Sequence, residues 1–247
     1  MAFLAVAIQS AAAVPLSQRA QPNTVRFENI SVQDGLSHEN VQAILQDGEG
    51  YLWFGTQDGL NKYNGYEISI YRNDPNNINS LLDNNVLTLY EDSKGRLWIG
   101  TSRGLDLFNR RSRTFSHYQQ DNRNSDSLNG RRVTVILEDI TGLIWVGTSN
   151  GGLNLFNPET NHFIHYTSRP DDPGSLSSNA IQSIFQDENG RLWVGTVNGL
   201  NLFNRGRELS PGFNTTRTTH NPYPRHPSLP YNRTKWAACG SAPRAEV

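Results

Sequence analysis

An all-β propeller with four recognisable four-stranded blades is predicted by three observations on this 247-residue sequence. A unit of about 45 to 48 residues recurs four times. Each unit carries Trp-x-Gly-Thr at a fixed distance after an Asp. Each also divides into four short β runs joined by turn-forming residues, the pattern of a propeller blade.

The Asp six residues before each Trp anchors the register, at Asp47, Asp92, Asp139 and Asp187. The same positions recur around it. Leu36, Leu81, Leu128 and Leu176 precede it, and Gly50, Gly95, Gly142 and Gly190 follow. The first β run of each unit is "VQAILQD", "VLTLYED", "VTVILED" or "IQSIFQD", and the second contains the Trp. The third is the "GLNKY" or "GLNLF" type, and the fourth reads "YEISIYR", "TFSHYQQ" or "HFIHYTS". Asp-x-x-Gly between the first two runs supplies an Asx-type side-chain bond and a Gly suited to positive φ. A Gly in "TQDGL" or "TSRGL" suits a tight hairpin between the second and third. The blades are placed near residues 36–72, 81–119, 128–167 and 176–205, within a repeat region at 24–205.

Trp and Gly two residues apart in a strand share a face. Trp53 with Gly55, Trp98 with Gly100, Trp145 with Gly147 and Trp193 with Gly195 are therefore read as inter-blade packing elements. The Trp fills the gap to a neighbour and the Gly permits close approach. The Leu, the middle apolar residue and the Thr are expected to face the other neighbour.

The ends of the repeat region break the pattern. Val25–Val32 reads as a fourth-type strand with no blade before it. After residue 205 the repeat signature fails, and 206–247 reads as a degenerate, disordered tail: a diverged fifth unit or a shifted reading frame. Residues 1–20 contain a short apolar stretch and Ala11–Ala13, resembling a secretory leader without its basic start. That suggests a periplasmic or extracytoplasmic location. No segment has the length a membrane span needs.

Composition narrows the function classes. Net charge is −1, with no run of one sign, which argues against nucleic acid as partner. Cys239 is the only cysteine, so there is no intrachain disulfide.

The repeats resemble the two-component regulator propeller family, whose unit reads approximately N-x-V-x-x-I-x-x-D-x-x-G-x-L-W-x-G-T-x-x-G-L. "NVQAILQDGEGYLWFGTQDGL" at 40–60 and "NNVLTLYEDSKGRLWIGTSRGL" at 84–105 match it nearly throughout. "RVTVILEDITGLIWVGTSNGGL" and "AIQSIFQDENGRLWVGTVNGL" match at the core. The resemblance implies a periplasmic sensor propeller ahead of a histidine kinase or diguanylate cyclase. It also implies rings of about seven blades, of which this chain would be a partial copy, and carbohydrates among the ligands.

No catalytic constellation, metal site or cofactor motif is found. His162 and His165 lie three apart in a strand and face opposite sides, while His117 and His165 share a repeat position. Binding is instead expected on the face gathering the long fourth-to-first loops and the second-to-third turns. Candidate contacts are Asp58, Arg103, Asn150 and Asn198 in the turns, with His38, Asn40, Asn85 and Arg132 leading into the inner strands. The expected ligand is a small molecule or oligosaccharide. Alternative readings are a propeller enzyme such as a lyase, or a non-catalytic interaction scaffold. An incomplete ring would also leave apolar blade faces open to self-association.

Overall fold

The structure is a computed structural model that describes residues 26–203. Its regular structure is fifteen strands and one 3₁₀ turn. The first blade comprises β1 (Val41–Gln46), β2 (Leu52–Thr56), β3 (Gly59–Tyr63) and β4 (Ile68–Tyr71). The second comprises β5 (Val86–Glu91), β6 (Leu97–Thr101), β7 (Leu105–Asn109) and β8 (Thr114–Tyr118). The third comprises β9 (Val133–Glu138), β10 (Ile144–Thr148), β11 (Leu153–Asn157) and β12 (His162–Tyr166). The fourth has three strands among the described residues: β13 (Ile181–Gln186), β14 (Leu192–Thr196) and β15 (Gly199–Phe203). Every sheet is an antiparallel meander in chain order. The innermost strands stand side by side, β1 against β5, β5 against β9 and β9 against β13. No comparable contact joins the first blade to the fourth among the described residues, so the blades form an open arc.

Three apolar clusters lie between successive blades. Trp53 packs with Val86, Leu97, Ile99 and Phe108 of the second blade. Trp98 packs with Val133, Ile144, Val146 and Phe156 of the third, and Trp145 with Ile181, Ile184, Leu192 and Val194 of the fourth. Each of these Trp rings meets an aromatic of the next blade edge-on, with centroids 5.3 Å apart for Trp53–Phe108, 5.7 Å for Trp98–Phe156 and 5.1 Å for Trp145–Phe203. The Gly two residues on has the expected role. A Cβ on Gly55, Gly100 or Gly147 would come within 2.6–2.7 Å of Val86, Val133 or Ile181, the first residue of the next blade's inner strand.

The Asp anchor does more than shape a turn. Asp47 Oδ1 accepts from the Glu49 and Tyr51 amides, as the Asx reading expects, while Oδ2 accepts the Trp53 indole N–H at 2.7 Å. The same indole bond recurs at Trp98–Asp92 (2.8 Å), Trp145–Asp139 (3.0 Å) and Trp193–Asp187 (3.0 Å). A buried indole N–H thus finds its acceptor at the one position where the turn also needs an acid. The Trp193 bond leads the effects that hold Asp187 down at about 2, with Arg191 assisting. Between the first two blades Arg110 bridges Asp47 (2.6 Å) and Glu91 (2.7 Å).

One expectation is corrected and another extended. Among the described residues of Val25–Val32 there is no strand; Val32–Asp34 form a 3₁₀ turn. Ser31 and Asp34 cap one another there, which holds the segment in a turn. The Thr of each repeat is buried, as a packing residue should be, and also fastens a turn. Thr56, Thr101, Thr148 and Thr196 donate to the carbonyls of Gly59, Gly104, Gly152 and Gly199, clasping the hairpin that follows. The leader at 1–20 and the tail at 206–247, with Cys239, lie outside the described residues.

Candidate functional site

The long loops between fourth and first strands carry internal fastenings that recur with the repeat. Ser80 Oγ accepts from the Asp74 amide and donates to the Asp74 carbonyl. Ser127 does the same with Asp121, and Ser175 with Arg169. Loops held this way pay less ordering entropy when they bind.

A histidine of the outer strand also pins two of these loops. His117 on β8 donates from Nε2 to the Ile78 carbonyl (2.7 Å) and from Nδ1 to Asp106 (2.6 Å). His165 on β12 likewise reaches the Ser125 carbonyl (3.0 Å) and Asn154 Oδ1 (2.8 Å). Asp106 occupies the repeat position held elsewhere by Asn61, Asn154 and Asn201, and is fully buried. The Ile78 carbonyl requires an N–H donor at Nε2, and Nδ1 shares a proton with Asp106, whose own pKa is raised by burial. The bond to Asp106 raises the pKa of His117, against the cost of burial. A raised folded-state value stabilises fully below the unfolded value of about 6.5 and is lost as pH rises through the folded value. The urea midpoint of the wild-type chain is therefore expected to fall as pH climbs above neutrality. Asp106→Asn, which recreates the Asn154–His165 pair, is expected to flatten that slope; an equal slope in both proteins would refute the assignment.

The eight candidate contacts separate into different environments. Asp58 is engaged by Arg72 (3.0 Å) and Asn84 (3.2 Å), so it ties the first hairpin to the adjoining loop. His38 is half-buried, and its Nδ1 accepts from the Asn40 amide at 2.9 Å within their own loop. Asn150 and Asn198 are exposed at hairpin tips, and the Asn198 amide donates to Thr196 Oγ1.

Asn85 and Arg132 are brought together. Gln42 donates to Asn85 Oδ1 (2.6 Å), Asn85 Nδ2 donates to Ser102 Oγ (2.8 Å), and Arg132 donates to the same Oγ (3.0 Å). This polar chain runs along the inner rim across three blades. Ser102 and Gln42 were not singled out from the sequence. Ser102 follows the repeat Thr, where Gln57, Ser149 and Val197 stand in the other units, and that variability was the available signal.

Arg103 lies outward from this rim. It lines a cleft of about 440 Å³ with Asn73, Asn77, Ile78, His117 and Gln119. Basic, amide and hydroxyl side chains converge there with Asp74 and the apolar Pro75, Ile78 and Leu82, a mixed lining that offers both donors and acceptors. Among the described residues no three His, Cys, Asp or Glu side chains gather as a metal site, and no helix is long and apolar enough to cross a membrane.

The family described as two component regulator propeller matches residues 35–58, 80–103, 127–150 and 175–198. A histidine kinase P4 of Formosa agariphila is 44% identical over 66 residues, covering 27% of this chain and 5% of that protein. An extracellular domain assigned to a hybrid two-component system of B. thetaiotaomicron is 28% identical with a TM-score of 0.56, covering 72% of this chain and 30% of that one. A second extracellular domain from the same organism has a TM-score of 0.56 at 24% identity, over 69% of this chain and 22% of its own. The chain thus spans less than a third of each of these relatives. Four repeats of the chain, each built as one blade around the same Asp–Trp pair, match the two-component regulator propeller family.

Proposed function

We propose that this chain is the ligand-sensing part of an extracytoplasmic signalling receptor and has no catalytic role of its own. The observation that carries this reading is the polar rim Gln42–Asn85–Ser102–Arg132, which links three blades through side chains on one face. A ligand that replaced one of these bonds would be felt across two blade junctions. The family match and the likeness to an extracellular two-component domain support the signalling context. The output module would be a histidine kinase or diguanylate cyclase acting elsewhere in the receptor.

The ligand class is a small polar molecule or an oligosaccharide. Asn, Ser and Arg at the rim and in the Arg103 cleft supply the paired donors and acceptors that hydroxyl-rich ligands need. Calorimetric titration of the chain with a panel of neutral and acidic oligosaccharides tests this. Arg132→Ala and Arg103→Ala are each expected to weaken binding roughly tenfold, the value of one charge-assisted hydrogen bond. Affinity unchanged in both variants would refute the site, and a wild-type chain that binds none of the panel would refute the carbohydrate class.

A further inference from the structure

The two ends of the arc carry complementary halves of the contact the molecule makes three times internally. On the fourth blade, Trp193, Gly195, Leu200, Leu202 and Phe185 share the face that Trp53, Trp98 and Trp145 present to a following blade. Among the described residues, no further blade covers that face. Leu200 is 68% exposed and Phe185 63%, and Trp193 is partly exposed, whereas the other three repeat Trp are 0% exposed. Among the described residues, the nearest atoms to a Cβ on Gly195 are all of Ser183 on the adjacent strand β13, where the other three slots hold Val86, Val133 or Ile181 of the next blade.

The first blade presents the matching half. Val41, 36% exposed, holds the repeat position of Val86, Val133 and Ile181, which fill the slots over Gly55, Gly100 and Gly147. Tyr63 holds the position of Phe108, Phe156 and Phe203, which meet the preceding Trp edge-on. Ile44, on the same face, is 68% exposed.

A polar bond follows the same rule. The amides of Gly48, Ser93 and Ile140 donate to Glu91, Glu138 and Gln186, the last residue of the next inner strand. The equivalent donor on the fourth blade is the Glu188 amide, and the equivalent acceptor on the first is Gln46, both exposed. Gln46 already makes the bond to Gly50 that Gln186 makes to Gly190.

We propose that the fourth blade of one copy docks on the first blade of a second copy, repeating the internal blade junction. Val41 enters over Gly195, Tyr63 meets Trp193, and the Glu188 amide donates to Gln46. The pairing is heterologous, so two copies joined at both ends make one closed ring of eight blades, within the known range of propeller sizes. This inference is independent of the ligand reading.

The test is sedimentation of the full chain with two variants and their mixture. The wild type is expected to be a dimer in the micromolar range. Val41→Asp and Gly195→Val should each weaken dimerisation at least tenfold while leaving the β circular dichroism intact. Mixing the two variants should restore association, because one junction, between the unaltered fourth blade of the first and the unaltered first blade of the second, remains. That mixed dimer should be weaker than the wild type, having one junction instead of two. A wild-type monomer, as when residues 204–247 shield Trp193, overturns the proposal. So do open-ended polymers, a Val41→Asp chain that dimerises as well as the wild type, and a mixture that stays monomeric.

Discussion

Trp98→Ala is expected to cost about 4 kcal/mol of unfolding free energy, the range for emptying a fully buried aromatic site. Trp98 is 0% exposed and lies between blades, against Val133, Val146 and Phe156. Its loss removes the face of one blade and the seat of the next, so both loosen. Trp98→Phe keeps most of the ring contact but deletes the indole donor to Asp92, a carboxylate that is itself buried. Arg96 still reaches Asp92 at 2.6 Å, so the cost should be roughly half that of the Ala variant. The internal control is Trp193→Ala. The residue type and repeat position are the same, but Trp193 is partly exposed and makes its contacts within its own blade, so about 1–2 kcal/mol is expected. Urea unfolding followed by far-ultraviolet circular dichroism, at concentrations where association is absent, ranks the three. Equal losses for Trp98→Ala and Trp193→Ala would show that blade contact is not what stabilises the repeat Trp.

Gly147→Ala is expected to destabilise by about 1–3 kcal/mol, an overpacking cost. The added methyl would sit 2.6 Å from both Ile181 of the fourth blade and Val135 of the adjacent strand. Neither neighbour can retreat without parting two blades or two strands. The matching change at Gly195 meets a single hydroxyl, Ser183 Oγ, which can rotate away. Gly195→Ala should therefore be neutral or gain up to about 1 kcal/mol, since Ala lowers the entropy of the unfolded chain. The same urea experiment reads both. A mild Gly147→Ala would mean that the third and fourth blades are not in close contact at this point.

Much of this architecture was legible because a propeller blade is a local object. Its four strands are consecutive, its turns demand Asp and Gly at set offsets, and its packing face follows from alternation along β2, β6, β10 and β14. The faces assigned to Trp and Gly were therefore read directly from spacing. The Asp was read as a turn former, correctly but incompletely. A six-residue separation does not reveal that the chain folds back so the Trp98 indole meets Asp92. The binding face was less legible. Variation among the turns singled out Arg103 and Arg132, yet the same signal missed Ser102, which joins Asn85 to Arg132. It also offered Asp58 as a ligand contact, where the structure has it engaged by Arg72 and Asn84.

The sequence by itself determined the blade, its strand order and the residues on each of its faces, because these depend on periods of two and of about 45 residues along the chain. Tertiary structure alone decided which copies of the signature are buried. Trp98 and Trp193 are indistinguishable in register, but one is fully buried under a neighbouring blade and the other is partly exposed. It alone also decided the pairs that cross between repeats or hairpins: Arg110 with Asp47, His117 with Ile78, and Gln42 with Asn85. Such pairs join residues about 40 to 60 positions apart, and only the curvature of the arc sets which of them meet.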